Sequence, residues 1–191
     1  SAGMDLSWAP VERVSFTTGY MYERIKQNMR SRNRPRAGVG FADTLDFLDY
    51  DWVSEIEDTI HTVHANVKAV LIPKVLDFTA GANFSSAVGR INTSNPQTPS
   101  HGTASQRAAA TAAPFPAFED LLYRVDAALK YHFYKPWTAT LGYVFESFEQ
   151  NDFRTDTLNP FMPGAMSIWL GNDTKNYAAH MIGLTVTYRF E

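Results

Sequence analysis

The residues of this chain that could do chemistry begin with a group of acids and histidines between positions 57 and 64. Carboxylates and imidazoles are the donors of metal centres and of acid–base pairs, and this group holds Glu57, Asp58, His61 and His64. If the segment is a β-strand, His61 and His64 face opposite sides, because alternate residues of a strand point to opposite faces. Polar contacts in a lumen or at a rim are therefore favoured over a metal or acid–base site.

A second acidic group offers oxygen ligands for a hard cation such as Ca²⁺. It consists of Asp43, Asp46, Asp49 and Asp51. The spacing lacks the glycine and the glutamate of an EF-hand loop. A solvated loop without a bound ion is the favoured interpretation of these aspartates.

A basic group precedes those aspartates and consists of Arg30, Arg32, Arg34 and Arg36. Guanidinium groups bind phosphates and carboxylates in bidentate geometry. The arginines could thus contact lipopolysaccharide phosphates or an acidic patch on a partner. Neutralisation by the aspartates that follow in the same predicted loop is an equally good alternative.

Composition excludes several classes of function. The chain has 191 residues and 0 Cys, so it holds no disulfide, no thiolate metal site and no C-x-x-C-H haem attachment. Its net charge of −3 gives no reason to expect nucleic acid as a partner. No Ser/His/Asp set falls on one strand face at one depth. We expect no enzyme activity and no catalytic, cofactor-binding or metal-binding residue in this chain.

The elements that position these residues are indicated by a strict two-residue alternation. It is clearest at the end of the chain, where Ile182, Leu184, Val186, Tyr188 and Phe190 alternate with small or polar residues. The same pattern recurs and predicts seven strands. Short turns near Pro10, Pro73 and Pro136 alternate with long loops at about residues 26–54, 88–117 and 150–176.

Short turns at one rim and long loops at the other are typical of an outer-membrane barrel. The sequence therefore predicts an all-β, antiparallel up-and-down transmembrane β-barrel. No apolar run approaches the roughly 18 residues that a membrane-spanning helix needs. Because such barrels generally have an even number of strands, residues 1–191 are either one barrel domain with an eighth strand between Gly38 and Tyr50 or a segment of a larger barrel.

The two faces of the predicted strands have different expected roles. Aromatic residues near the short-turn rim would form a membrane girdle: Trp8, Tyr131, Phe133, Trp137, Tyr188 and Phe190. Polar residues of the opposite face would line the lumen or contact a partner, and they also have opportunities to pair across strands. These candidates are His64, Asn66, Lys68, Arg124, Asp126, Lys130, His132 and Glu146.

Several segments, in order and spacing, resemble the MtrB/PioB family of decahaem-associated outer-membrane β-barrels, from about Trp52 onward. The first are Trp52-Val53-Ser54, the turn Ile72-Pro73-Lys74 with Leu76-Asp77, and Asn83-Phe84-Ser85-Ser86. The later ones are Tyr143-Val144-Phe145-Glu146-Ser147-Phe148, and Leu170-Gly171-Asn172-Asp173 through Tyr177, His180 and Gly183 to Tyr188-Arg189-Phe190.

This resemblance implies a large porin-like barrel in the bacterial outer membrane, of which the chain would be the C-terminal portion. The barrel would sheath a multihaem c-type cytochrome and form a conduit for electrons across the membrane. Its partners would be periplasmic and extracellular multihaem cytochromes, together with outer-membrane lipid and lipopolysaccharide. The haems would belong to the cytochrome, and this chain would bind none.

Three other functions are compatible with the residues alone. The main alternative is a small self-contained outer-membrane barrel, an adhesin, stability protein or porin without an electron-transfer partner. An outer-membrane enzyme with a catalytic group at a rim and a soluble lipocalin-like binder are the others. The first residues lack the basic and apolar regions of a signal peptide, so a mature or truncated product is expected.

Overall fold

The fold is a seven-stranded antiparallel meander. The computed structural model describes residues 1–32, 47–113, 115–152 and 176–190. The sheet follows chain order from β1 to β7. Its strands are β1 (Ala2–Val11), β2 (Val14–Arg32), β3 (Asp51–Ile72), β4 (Leu76–Ser94), β5 (Phe118–Tyr134), β6 (Trp137–Asn151) and β7 (Tyr177–Tyr188).

Each strand pairs with its neighbour in the sequence, as the alternation predicted. Residue Glu146 of β6 shows the register, since it lies opposite Arg124 of β5 and opposite Ala179 of β7. The all-β, up-and-down antiparallel prediction is confirmed. Within the described residues β1 and β7 form the two edges and do not pair with each other, so the sheet is open there.

The first short turn lies later than predicted. Pro10 belongs to β1, and the chain reverses at Glu12 and Arg13. Pro10 lies where the β1–β2 register is irregular, between Trp8 and Val11, and proline is tolerated at such bulges. The predicted turns near Pro73 and Pro136 separate β3 from β4 and β5 from β6.

Two of the three predicted loops are shorter than expected. β2 continues to Arg32, β3 starts at Asp51, and β4 continues to Ser94, all inside the predicted loops 26–54 and 88–117. Sheet pairing needs only backbone groups, so strands continue past the apolar alternation on polar residues. The third loop agrees at its ends, at Asn151 and Tyr177, while residues 153–175 lie outside the described ones.

Two short helices lie among the described loop residues. A 3₁₀ helix spans Leu48–Tyr50, and helix α1 spans Ala104–Ala110 with a Thr103/Gln106 capping box at its start. Most of the region proposed for an eighth strand, residues 38–46, lies outside the described residues. No helix in the described parts of the chain is long and apolar enough to cross a membrane.

The chain divides into two compact units. The strand unit contains Ser1–Glu23, Ile60–Ala87 and Glu119–Glu191. The loop unit contains Arg24–Thr59 and Val88–Phe118. Each unit is described by itself below.

Candidate functional site

The strand unit presents a polar face to which every strand contributes. Register places the even-numbered residues of β5 and of β6 on the same side, as Arg124 opposite Glu146 and Lys130 opposite Thr140. Hydrogen bonds and ion pairs then link neighbouring strands on that side. We call this side of the sheet the polar face.

At the β1 end of the polar face, Asp5 and His64 meet over a glycine. His64 Nε2 lies 3.1 Å from an oxygen of Asp5. Gly19 lies directly beneath the pair, and a Cβ on Gly19 would collide with both side chains. His61, by contrast, contacts Tyr20 and Tyr22 on the other face. The predicted opposite orientation of the two histidines is confirmed, so they form no joint site.

A second glycine creates room in the middle of the polar face. A Cβ on Gly81 would lie 2.8 Å from Asn66 Oδ1 and 3.0 Å from an oxygen of Asp126. The side chains of Asn66 on β3 and Asp126 on β5 thus both extend over Gly81 of the intervening strand β4. Glycine is required here by close approach and not by an unusual φ.

Towards the β7 end, two further polar groups cross between strands. His132 Nε2 lies 3.1 Å from Asp77 Oδ2, and His132 Nδ1 lies 3.1 Å from Thr138 Oγ1. Arg124 Nη1 donates to Glu146 Oε2 at 3.1 Å, and Tyr177 donates its hydroxyl hydrogen to Glu146 Oε1 at 2.7 Å. Pairing across strands, one of the two predicted roles, therefore accounts for several of these residues.

The remaining lumen candidates line a cleft on the same face. Lys68 and Lys130 share with Asp77 and Thr140 a cavity of about 480 Å³. Its lining includes Glu12, so cations and carboxylates both surround the space. Such a surface holds water or a polar partner and is unsuited to hydrocarbon.

The opposite, apolar face carries the predicted girdle residues near the short turns. Trp8 stacks on Phe16 with centroids 5.7 Å apart, and Trp137 packs on Tyr188 at 4.8 Å. All six girdle candidates are exposed, from Trp137 at 40% to Phe190 at 87%. The others form aromatic pairs as well, Tyr131 with Phe133 and Tyr188 with Phe190.

A second set of ring contacts lies farther from the short turns on the apolar face, and sequence reasoning missed it. Tyr20 hydrogen-bonds His61 at 2.7 Å, and Tyr143 hydrogen-bonds His180 at 2.9 Å. Phe145 also packs on His180, at 4.9 Å. Each histidine shares its odd or even position with the apolar residues of its strand, which was the available signal in the sequence. Only the strand register shows which tyrosine lies next to it on the neighbouring strand.

In the loop unit, Asp51 binds two of the four arginines of the basic group. Arg30 Nε donates to Asp51 Oδ2 at 2.9 Å, and Arg32 Nε donates to Oδ1 at 2.5 Å. Hydrogen bonds from Arg32 and then Arg30 lower the pKa of Asp51 to about 2, against the opposing effect of burial. Both arginines lie on β2 and not in a loop, which corrects their predicted location. Arg34 and Arg36 fall outside the described residues.

One carboxylate oxygen of Asp49 accepts hydrogen bonds from backbone and side-chain donors of the segment before α1. Its Oδ2 accepts from the Ser100 amide at 2.5 Å and the His101 amide at 3.2 Å, and lies 3.0 Å from His101 Nδ1. Burial alone would raise the pKa of Asp49, but these hydrogen bonds hold it well below its usual range. The prediction of a solvated loop is wrong for Asp49 and Asp51, which are 5% and 3% exposed.

The loop unit closes around Tyr50 and Ala110, which are both fully buried. Tyr50 donates its hydroxyl hydrogen to the His101 carbonyl at 2.6 Å, and Trp52 Nε1 donates to the Ala110 carbonyl at 2.7 Å. Asn95 bridges the same region, since its amide donates to the carbonyls of Asp51 and Ala110. The segment around α1, which belongs to the predicted loop 88–117, is therefore packed against the start of β3.

Neither unit offers a metal centre in its described parts, where no three or more His, Asp or Glu side chains converge on one point. In the acidic group considered as Ca²⁺ ligands, the described carboxylates bind Arg30, Arg32, Ser100 and His101. Asp43 and Asp46 lie outside the described residues. The chain thus combines a two-faced sheet with a hydrogen-bonded loop unit.

Comparison with known families decides what kind of protein has this arrangement. The profile described as "Putative outer membrane beta-barrel porin, MtrB/PioB" matches residues 1–190. The chain belongs to the MtrB/PioB family. The family resemblance predicted from Trp52 onward is thereby confirmed, and it extends to the β1 end. The prediction of an outer-membrane location is confirmed with it.

The MtrB/PioB chain is also similar in fold to a solved structure, "Copper transporter OprC". The two superpose with a TM-score of 0.56 at 12% sequence identity, over 96% of this chain and 27% of the other. The likeness concerns the fold alone, and the chain spans about a quarter of that protein. No curated protein matches the MtrB/PioB chain significantly.

Proposed function

We propose that this MtrB/PioB chain is part of a porin-like barrel that sheathes a multihaem c-type cytochrome in an electron conduit across the outer membrane. The polar face carries this proposal. It runs through charged and hydrogen-bonded residues on all seven strands, behind an exposed apolar face. A wet interior and a lipid-facing exterior have this distribution in outer-membrane barrels.

The open sheet supports a barrel larger than seven strands. An unpaired strand edge in hydrocarbon leaves backbone groups without hydrogen bonds, which costs several kcal/mol per group. In the described residues, β1 and β7 each have one free edge. Further strands on both sides would satisfy them and would widen the lumen enough for a folded partner.

The chain's own part in electron transfer would be mechanical and electrostatic. Haems on the partner would carry the electrons, and this chain would hold them in a fixed, insulated path. Its apolar face would contact lipid between two aromatic rows, at Trp137 and at Phe145 on β6. These rows lie roughly 26 Å apart along the strand, or about 20 Å after tilting, close to the apolar band of about 25 Å in such barrels.

A small self-contained barrel is the alternative, and the open sheet counts against it. The similar solved protein is called a copper transporter, but 12% identity carries no ligand over to this chain. The described residues offer no cluster of metal-ligating side chains for such a role. The open sheet therefore favours a partner-binding segment of a larger barrel over a small self-contained one.

Co-purification tests the proposal. The protein would be extracted in mild detergent from cells that make its natural partners, and the eluate stained for covalently bound haem. We expect a haem-staining protein to elute with the barrel at a constant ratio. A pure barrel that never retains such a protein would overturn the cytochrome proposal.

Two neighbouring substitutions on β3 serve as test and control. Lys68→Trp fills the polar-face cleft and should lower the yield of the haem protein severalfold, whereas Val67→Trp on the apolar face should leave it unchanged. Heat-modifiable electrophoretic mobility checks that both barrels fold. Equal yields from two folded variants would contradict a partner on the polar face.

A further inference from the structure

A cleft at the short turns gathers positive charge. Its volume is about 910 Å³, and its lining includes Lys74, Lys130, Lys135 and Arg189. No Asp or Glu side chain lines it among the described residues. We call it the basic cleft. It is a local exception in a chain whose net charge is −3.

Backbone hydrogen bonds hold the cation-bearing segments together. The amide of His132 donates to the carbonyl of Val75, next to Lys74, at 2.8 Å. The amide of Arg189 donates to the carbonyl of Pro136, next to Lys135, at 3.1 Å. The cations are thus carried by turns and strand ends that are fixed by the sheet, so their grouping does not depend on flexible loops.

These cations have no internal counter-ions in the described part of the chain. None of the four forms an ion pair there, unlike Arg24 and Lys26, which share Glu57. Asp77, which lines the neighbouring cleft together with Lys130, is engaged by His132. Positively charged side chains without counter-ions strengthen the electrostatic field inside a cleft, and they therefore attract an external anion.

The position of the cleft favours a partner over a lipid. Lys130 lies on the polar face, with Thr138 and Thr187 beside it in the lining. Lys74 and Lys135 lie in the short turns. The girdle rings Trp137 and Tyr188 line the cleft as well, but a lipid phosphate beside them would face the apolar side, whereas Lys130 projects from the polar face.

We propose that the basic cleft binds carboxylates on an acidic surface of a periplasmic partner protein at the short-turn mouth of the barrel. This inference rests on the proposed function for its assignment of the polar face to the lumen. Lys74, Lys130, Lys135 and Arg189 would steer the partner and set its orientation, since charge complementarity acts mainly on encounter and register.

The test uses a defined probe, a fluorescent poly-L-glutamate peptide titrated onto the protein in neutral detergent. We expect binding that weakens as salt is added. The variant Lys74→Asn/Lys135→Gln should weaken it about fivefold to tenfold, as loss of two exposed charge contacts predicts. Asparagine is chosen because residue 74 has a left-handed backbone, with φ of 64°.

A charge-matched control removes two cations elsewhere. Lys26→Gln/Arg90→Gln loses the same charge in the loop unit and should bind poly-L-glutamate like the unsubstituted protein. An equal loss in both double variants would overturn the proposal, because binding would then follow net charge. No binding to the peptide, or binding only to nanodiscs of anionic phospholipid, would overturn it as well.

The peptide-binding experiment can succeed or fail independently of the cytochrome proposal. If the peptide binds in the basic cleft but no haem protein co-purifies, the acidic-partner inference stands and the cytochrome assignment fails. If a haem protein co-purifies equally with the Lys74/Lys135 variant and the peptide does not bind, the cleft inference alone fails.

Discussion

The strand unit and the loop unit treat apolar side chains in opposite ways. In the strand unit Ile182 is 78% exposed and Leu184 is 71% exposed. In the loop unit Tyr50 and Ala110 are completely buried. Apart from glycines, no other apolar residue in the described part of the chain is buried. One unit displays its apolar surface and the other encloses it.

The difference shows which solvent each unit is built for. Contiguous exposed apolar surface in water is a liability and marks a protein or membrane contact. In an outer-membrane barrel that surface contacts lipid, while the polar groups pair on the other side. The loop unit pairs Asp51 with arginines and Asp49 Oδ2 with backbone amides, and it forms a small core around Tyr50, as suits a segment exposed to water.

Truncating Tyr50 is expected to have the largest effect on the comparison. Tyr50→Ala empties a fully buried site and should destabilise the loop unit by about 3 to 5 kcal/mol. Hydrogen exchange at the Ser100 and His101 amides would report the loss. Tyr50→Phe keeps the ring and removes only the bond to the His101 carbonyl, so about 1 kcal/mol is expected. Equal exchange in both variants would show that the core is not what holds the loop.

Adjacent substitutions on β6 test the two faces of the strand unit. Leu141→Asp places a charge in the apolar face and should cost about 2 kcal/mol in lipid. Thr140→Asp places the same charge in the cleft beside Lys68 and Lys130 and should cost much less. Urea unfolding in lipid bilayers measures both. If the two variants are equally destabilised, the faces do not have different solvents.

Glycine substitutions sharpen the description of the polar face. Gly19→Ala must displace Asp5 or His64 and should destabilise the barrel by about 1 kcal/mol, since both are flexible side chains. Gly183→Ala is the control, because a Cβ there has nothing within 4 Å. Unfolding midpoints that fall by the same amount would argue against the Asp5–His64 contact.

Acidification should have a smaller effect and should act on the loop unit. The pKa of Asp51 is about 2 in the folded protein and 3.8 ordinarily, so the unfolded chain takes up the proton first. The contribution of Asp51 is complete above about pH 4 and is lost as the pH falls towards 2. Protease sensitivity against pH would follow this loss, and Asp51→Asn should make the profile shallower, with the contribution of Asp49 remaining. An unchanged profile would mean that the arginines do not stabilise the folded carboxylate.

Alternation was sufficient to predict the strands but not where they end. The apolar row of β3 fixed its central register, while its start at Asp51 lies among polar residues that sequence reasoning assigned to a loop. The reason is that strand ends depend on backbone pairing with β2 and β4, which has no side-chain signature. The burial of Asp49 was missed because its donors, Ser100 and His101, are far away in sequence.

The sequence by itself determined the two-faced strands, the opposite orientation of His61 and His64, and membership of the MtrB/PioB family, because these follow from local periodicity and the order of segments. Only the tertiary structure decided which polar residues meet, as Asp5 with His64 over Gly19, and which tyrosines pair with His61 and His180. Cross-strand partners depend on register and on turns such as the one at Lys74. A one-residue shift in register would change every one of these contacts.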